Sequence, residues 1–241
     1  SLGCSWTQVL STRTDGLPPS LQELNINQLH ALRHDASLAH LRQLRVLRAD
    51  QSRLNTITLV SLPPSLEEVH ASYCRGLTAE TTFAHLPALR ILDVSVTAIG
   101  DASLASMPLS LECLIVRACR NLTPAALLPL LPALRLLDVS DTAIGAALVA
   151  SLPATLEELR IAGCHGVTGG ATLDHVRALR LLHSMDTALA PAVISACRAR
   201  GCAVVFATGE LRGHRDAVAS LALLADGRLA SGDVGGEVRL W

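Results

Sequence analysis

A leucine-initiated segment recurs from residue 21 to about residue 207, and this periodicity constrains the fold more than any other feature of the 241-residue chain. Repeat starts fall at Leu21, Leu44, Leu66, Leu89, Leu111, Leu134, Leu156, Leu179 and, degenerately, Cys202, so spacings of 23 and 22 residues alternate before a final 23. Two units make a 45-residue super-repeat. One kind reads LEEVHASYCRGLT from Leu66, LECLIVRACRNLT from Leu111 and LEELRIAGCHGVT from Leu156. The other reads LRILDVSVTAIGD from Leu89, LRLLDVSDTAIGA from Leu134 and LRLLHSMDTALAP from Leu179, with Thr-Ala in place of the cysteine turn. The middle of each unit alternates apolar and other residues, as a short strand with one buried face requires, and the trailing stretches ASLASM, ALLPLL and ALVASL suit a short helix or turn. No single unit can bury its own leucines. Stacking the coils with parallel strands ~4.8 Å apart does so, and gives a curved solenoid with the strand side chains on one face. Pro19, Pro64, Pro87, Pro108, Pro132 and Pro153, each two or three residues before a repeat's first Leu, stop the return segment.

The LxxLxL spacing followed by Cys, Asn or a small residue and another Leu resembles the leucine-rich-repeat family, and the CxxLT variant resembles its cysteine-containing subclass. The resemblance implies an α/β solenoid, with a parallel sheet on the concave face and short helices on the convex one. A period of 22 to 23 is too short for a long helix in every coil, so a moderate helix content is expected. Half the residues are hydrophobic but only 2% aromatic, so the core is aliphatic. Cys74, Cys119 and Cys164 lie 45 residues apart, which sets their sulfurs ~10 Å from one another in such a stack, too far for a shared zinc or a disulfide. They are expected to be buried fillers whose thiols serve turn carbonyls, the task Asn performs in related repeats. Cys197 and Cys202 are read as free thiols, and seven cysteines without a CxxC pair point to a reducing compartment, the cytoplasm.

From Leu211 the chain reads LRGHRDAVASLALLADGRLASGDVGGEVRLW. Gly213-His214, the Asp226-Gly227 turn, Ser231-Gly232 and Trp241 in this order resemble one WD repeat of a β-propeller, although Gly235 stands where the family places its tight-turn Asp. The domains expected are a partial repeat or cap over 1–17, a solenoid over 18–207 and an incomplete WD blade over 208–241, the last as a hairpin-containing meander. AVVFATGEL, residues 203 to 211, is assigned to the last solenoid strand. The chain starts without Met, has no signal-peptide pattern and stops before a blade would close, so it is expected to be a piece of a longer protein.

Twenty basic residues against twenty-one acidic ones argue against nucleic acid or an acidic membrane as partner. All twenty basic residues are Arg, which removes Schiff-base, phosphate-loop and kinase lysine chemistry. No apolar run reaches the ~20 residues of a membrane-spanning helix. Counting from each unit's first Leu, position three carries Glu68, Ile91, Cys113, Leu136, Glu158 and Leu181, and position five His70, Asp93, Ile115, Asp138, Arg160 and His183. Ser72, Ser95, Arg117 and Met185 follow at position seven. His70, Asp93 and the neighbouring serines invite comparison with a hydrolase triad, but an open sheet supplies no strained nucleophile elbow, so charge-balanced neighbours are the better reading. The expected site is a recognition face for another protein or peptide, made by Glu68, His70, Ile91, Asp93, Ile115, Arg117, Leu136, Asp138, Glu158, Arg160 and His183. No catalytic role, cofactor, metal or small-molecule substrate is expected. The resemblances imply a protein–protein interaction scaffold, with a substrate-recognition subunit of an F-box-type ubiquitin ligase and a targeting region of a large multidomain kinase or GTPase as the alternatives.

Overall fold

The third to fifth residues of the units starting at Leu21 through Leu179 each form a three-residue strand, and the last strand, Ala203–Val205, begins one residue earlier than the expected start at Cys202 would place it. A computed structural model describes residues 16–205, 218–223, 229–235 and 238–240, and the chain divides into two units, Ser1–Phe206 and Ala207–Trp241. In the first unit the strands are β1 (Glu23–Asn25), β2 (Val46–Arg48), β3 (Glu68–His70), β4 (Ile91–Asp93), β5 (Cys113–Ile115), β6 (Leu136–Asp138), β7 (Glu158–Arg160), β8 (Leu181–His183) and β9 (Ala203–Val205). They pair in chain order into one parallel nine-stranded sheet, each third residue up to Leu181 facing the third residue of the unit before it, and Leu181 facing Ala203. The register follows from burial. Leu47, Val69, Leu92, Leu114, Leu137 and Leu159 at the strand centres are fully buried, and a slip of one residue would turn this row to solvent. Backbone pairing continues past the strands: the Ala71 amide donates to the Asp93 carbonyl (2.7 Å) and the Tyr73 amide to that of Ser95 (2.8 Å), and neighbouring coils repeat both bonds.

Holding that second bond in a tight coil sends position eight into the left-handed region. Gln28, Gln51, Tyr73, Val96, Ala118, Asp141 and Asp186 all have φ between 50° and 59°, and Gly163 has φ 70°. A left-handed residue with a Cβ costs roughly 1–2 kcal/mol, and a β-branched one is the least suited. Val96→Gly is therefore expected to raise the unfolding free energy by about 1 kcal/mol, once the greater chain entropy of Gly is offset. A urea titration would show this as a higher midpoint with an unchanged slope; a lower midpoint would mean that the Val96 side chain contributes more than its backbone costs.

Helix is sparser than the periodicity suggests. The helices α1 (Thr56–Val60), α2 (Asp101–Ala105) and α3 (Ala146–Ala150) follow only cysteine-free strands, and α4 (Pro191–Ala199), with its proline in the first turn, closes the array before β9. The return segments of the cysteine-bearing coils are turns and irregular chain, ALLPLL being irregular throughout. Pro129 deprives that stretch of a mid-segment donor, which a helix there would need. Where helices form, Asn55 Oδ1 caps α1 by accepting the Thr58 amide (2.9 Å), and Ser61 and Ser106 take the carbonyls of Thr58 and Ser103 while accepting the amides of Leu38 and Phe83. Prolines sit in the turns expected of them: the Leu66, Leu111 and Leu156 amides donate to the carbonyls of Pro63, Pro108 and Pro153.

The core is one continuous aliphatic cluster with Phe83 as its one fully buried ring among the described residues. The repeating cysteines are part of it. Cys74, Cys119 and Cys164 donate to the carbonyls of Ala49 (3.0 Å), Val94 (3.3 Å) and Val139 (3.1 Å), each 25 residues back in the preceding coil. Ser52, Thr97 and Thr142 take position nine in the alternate coils and lie 3.6–3.7 Å from the sulfurs. Burial pushes all three thiols above their ordinary pKa, so they stay protonated donors.

In the second unit β10 (Val218–Leu223), β11 (Leu229–Asp233) and β12 (Val238–Leu240) form an antiparallel meander, as the sequence suggests. Gly213, His214, Asp226, Gly227 and Trp241, which carry the WD resemblance, lie outside the described residues, as do residues 1–15 of the expected cap. Of AVVFATGEL, Ala203–Val205 joins the solenoid sheet as β9 and the rest lies outside them.

Candidate interaction surface on the strand face

Because each strand centre is buried, its two flanking residues stand on the opposite face of the sheet. The register then builds two rows. At position three Glu68, Ile91, Cys113, Leu136 and Glu158 are successive neighbours across β3 to β7; at position five the same strands bring His70, Asp93, Ile115, Asp138 and Arg160 side by side. Ile91, Cys113 and Leu136 thus form an apolar run closed at both ends by a carboxylate, and Ile115 lies between two more. All are partly exposed except Asp138, which is buried at 6% exposure with Oδ1 accepting the Ser140 amide (3.0 Å). His183 lies one strand beyond Arg160.

Polar contacts settle several expectations. Arg160 bonds Glu158 on its own strand (2.6 Å) and reaches Asp138 at 3.8 Å, so its charge is shared between these two carboxylates. Arg117 does not share the rows: it follows β5, is exposed, and pairs with Asp141 of the next coil (3.0 Å). Ser95 Oγ donates to Asp93 (2.7 Å) while the His70 ring is paired with Glu68 at 3.9 Å, so the serine proton is committed to a carboxylate and not to a histidine base. Burial, reinforced by Asp93, pushes the Cys113 thiol up to about 11, so it serves at neutral pH as a small uncharged filler between Ile91 and Leu136. Among the described residues no three His, Cys, Asp or Glu side chains are grouped for a metal, and no helix is long and apolar enough to cross a membrane.

One row escapes attention when only alternate positions are read. Position two alternates Arg45, Glu67, Arg90, Glu112, Arg135, Glu157 and Arg180, and stacking pairs each Arg with a Glu. Arg90 bonds both oxygens of Glu112 (2.9 and 3.0 Å) and holds that carboxyl below its ordinary pKa; Arg45 bonds Oε1 of Glu67, and Arg135 that of Glu157. The signal was present as LR and LE at alternate repeat starts.

Two solved structures share this coil geometry. An internalin from Listeria monocytogenes superposes with a TM-score of 0.55 at 17% identity over 76% of this chain. A leucine-rich-repeat protein from Leptospira interrogans superposes with a TM-score of 0.55 at 16% identity over 78% of it. The fold is a leucine-rich-repeat solenoid. This chain spans about half the length of each, 54% and 49%, and at this identity the likeness concerns the fold alone. No family profile and no curated protein sequence matches the chain.

Proposed function

We propose that this leucine-rich-repeat solenoid is a protein–protein interaction scaffold that takes a partner segment on its strand face and performs no catalysis itself. The observation that carries this reading is the central apolar run of Ile91, Cys113 and Leu136, with Ile115 beside it, bordered by Glu68, Asp93, Asp138 and Glu158. An apolar centre within a polar rim is the anatomy of a recognition site. The bordering carboxylates outnumber Arg160 and His70, so the complementary segment is an apolar side chain flanked by basic ones. Arg117, at the turn beyond β5, extends the rim and would meet an acidic group of that segment. The C-terminal meander is read as the first strands of a WD-type blade offering a second partner surface, and residues 1–17 as the cap of the array. Six described cysteines, all free, support a reducing compartment such as the cytoplasm.

The test begins with a partner recovered on the wild-type chain and then measures its direct binding with purified components. Against the folded double variant Ile115→Asp/Leu136→Asp, affinity is expected to fall by at least about a hundredfold, two central apolar anchors being lost. Equal affinity with an unchanged circular-dichroism melting curve would place the partner elsewhere.

A further inference from the structure

At the loop edge, away from the strand rows, the turns of the first three coils line a cleft of about 1040 Å³ whose charged side chains are all arginines, Arg33, Arg53 and Arg75, with His30, His34 and Tyr73 beside them. Register explains the concentration. Position ten is His30, Arg53 and Arg75 in three successive coils, ~4.8 Å apart per coil, whereas alanines at 98, 143 and 188 interrupt the row in the later ones. The walls are tied in place. Asn55 Nδ2 donates to the His34 carbonyl (2.9 Å) while its Oδ1 caps α1, and Gly76 packs directly against Asn55. Of the cleft's guanidiniums only Arg33 is neutralised, by Asp35 (3.0 Å). The adjacent carboxylate, Asp50, does not line the cleft and accepts the Ser72 amide (2.9 Å). One imidazole and two exposed arginines are thus stacked at coil spacing, with His34 beside them and no acidic side chain lining the cleft, although elsewhere in the chain stacked arginines alternate with glutamates.

We propose that this cleft binds a phosphate monoester. A carboxylate would neutralise only one of the two free guanidiniums, whereas a phosphate monoester carries about −1.5 to −2 charge and three acceptor oxygens suited to arginine forks. The site stands apart from the strand face and does not depend on the reading given above for that face.

The experiment titrates the full chain with inorganic phosphate, with capped phosphoserine and with capped aspartate, following by NMR the Gly76 amide of the cleft wall in every protein and, in the wild type, the Arg53 and Arg75 guanidinium resonances. Phosphate and phosphoserine are expected to shift both resonances saturably in the millimolar range. The variant Arg53→Gln/Arg75→Gln, exposed positions whose loss leaves the core intact, is expected to weaken binding at least tenfold for each arginine removed, about 1.4 kcal/mol each. Phosphoserine binding more tightly than phosphate would identify a phosphorylated peptide as the source, and equal binding a free phosphate compound; both sustain the site. Ile115→Asp/Leu136→Asp should leave this binding unchanged, which separates the two surfaces. Aspartate binding as well as phosphoserine, binding unaffected by the arginine substitutions, or no shift with either phosphate probe would overturn the proposal.

Discussion

Phe83→Ala is expected to lower the unfolding free energy by about 3–5 kcal/mol, the range for truncating a fully buried ring. Phe83 has no exposed surface and stands in the return turn of a cysteine-bearing coil, its amide tied to Ser106 Oγ of the next coil (3.1 Å). Leu128 and Leu173 hold the same place in the other cysteine-bearing coils and Leu38 holds it in the first coil, all buried. Phe83→Leu therefore keeps the shape that the architecture already accepts and is expected to cost only about 1 kcal/mol. Because a coil contacts only its neighbours, the damage should be local. Hydrogen exchange should quicken in the coils starting at Leu66 and Leu89 before the rest of the array opens. Equal losses for the Ala and Leu variants would show that ring stacking, not volume, is what this turn requires.

The second large effect arises where adjacent coils touch backbone to backbone. Cysteine-bearing coils carry one extra residue in the turn after the thiol: Gly76, Asn121 and Gly166. Gly76 bridges Asn55, and Asn121 bridges Gly100. A Cβ on Gly76 would lie 2.5 Å from Asn55 Cβ and 2.7 Å from the Leu54 carbonyl oxygen, so position 76 has no room for a side chain while Asn55 stands opposite. Gly76→Asn is accordingly expected to cost about 3 kcal/mol through overpacking. Adding Asn55→Gly recreates the Gly100–Asn121 arrangement and should recover much of the loss, since Gly replaces Asn as a helix cap at a cost of only a few tenths of a kcal/mol. Thermal melts of the four proteins in this cycle measure the coupling directly. An additive double variant would show that the Leu54 carbonyl, not the Asn55 side chain, sets the limit.

Much of this was legible beforehand. The repeat starts from Leu21 to Leu179 locate eight strands of the solenoid, the degenerate start at Cys202 misses the ninth by one residue, the alternation within each unit sorts buried Leu92 and Leu114 from outward Ile91 and Ile115, and the cysteine interval gives thiols that serve backbone carbonyls. Such features are legible because they depend on a residue's own position within a coil. The sequence was less informative where two coils must be compared. It suggested helical returns in both kinds of unit, whereas only the cysteine-free kind forms them before α4, and it placed Arg117 among the strand residues when its partner is Asp141 beyond them.

What the sequence by itself determined, then, is the period, the parallel order and the inward rows, since a leucine stripe that no unit can bury alone leaves stacking as its one outlet. Only the tertiary structure decided which side chains become neighbours. Glu67 belongs to Arg45 and Glu112 to Arg90, Asn55 demands the glycine at 76, and Arg53 and Arg75 are left facing one cleft without a carboxylate. These pairings join residues some twenty positions apart in the chain, and a contact of that kind depends on the distance between coils, which packing sets and no local pattern encodes.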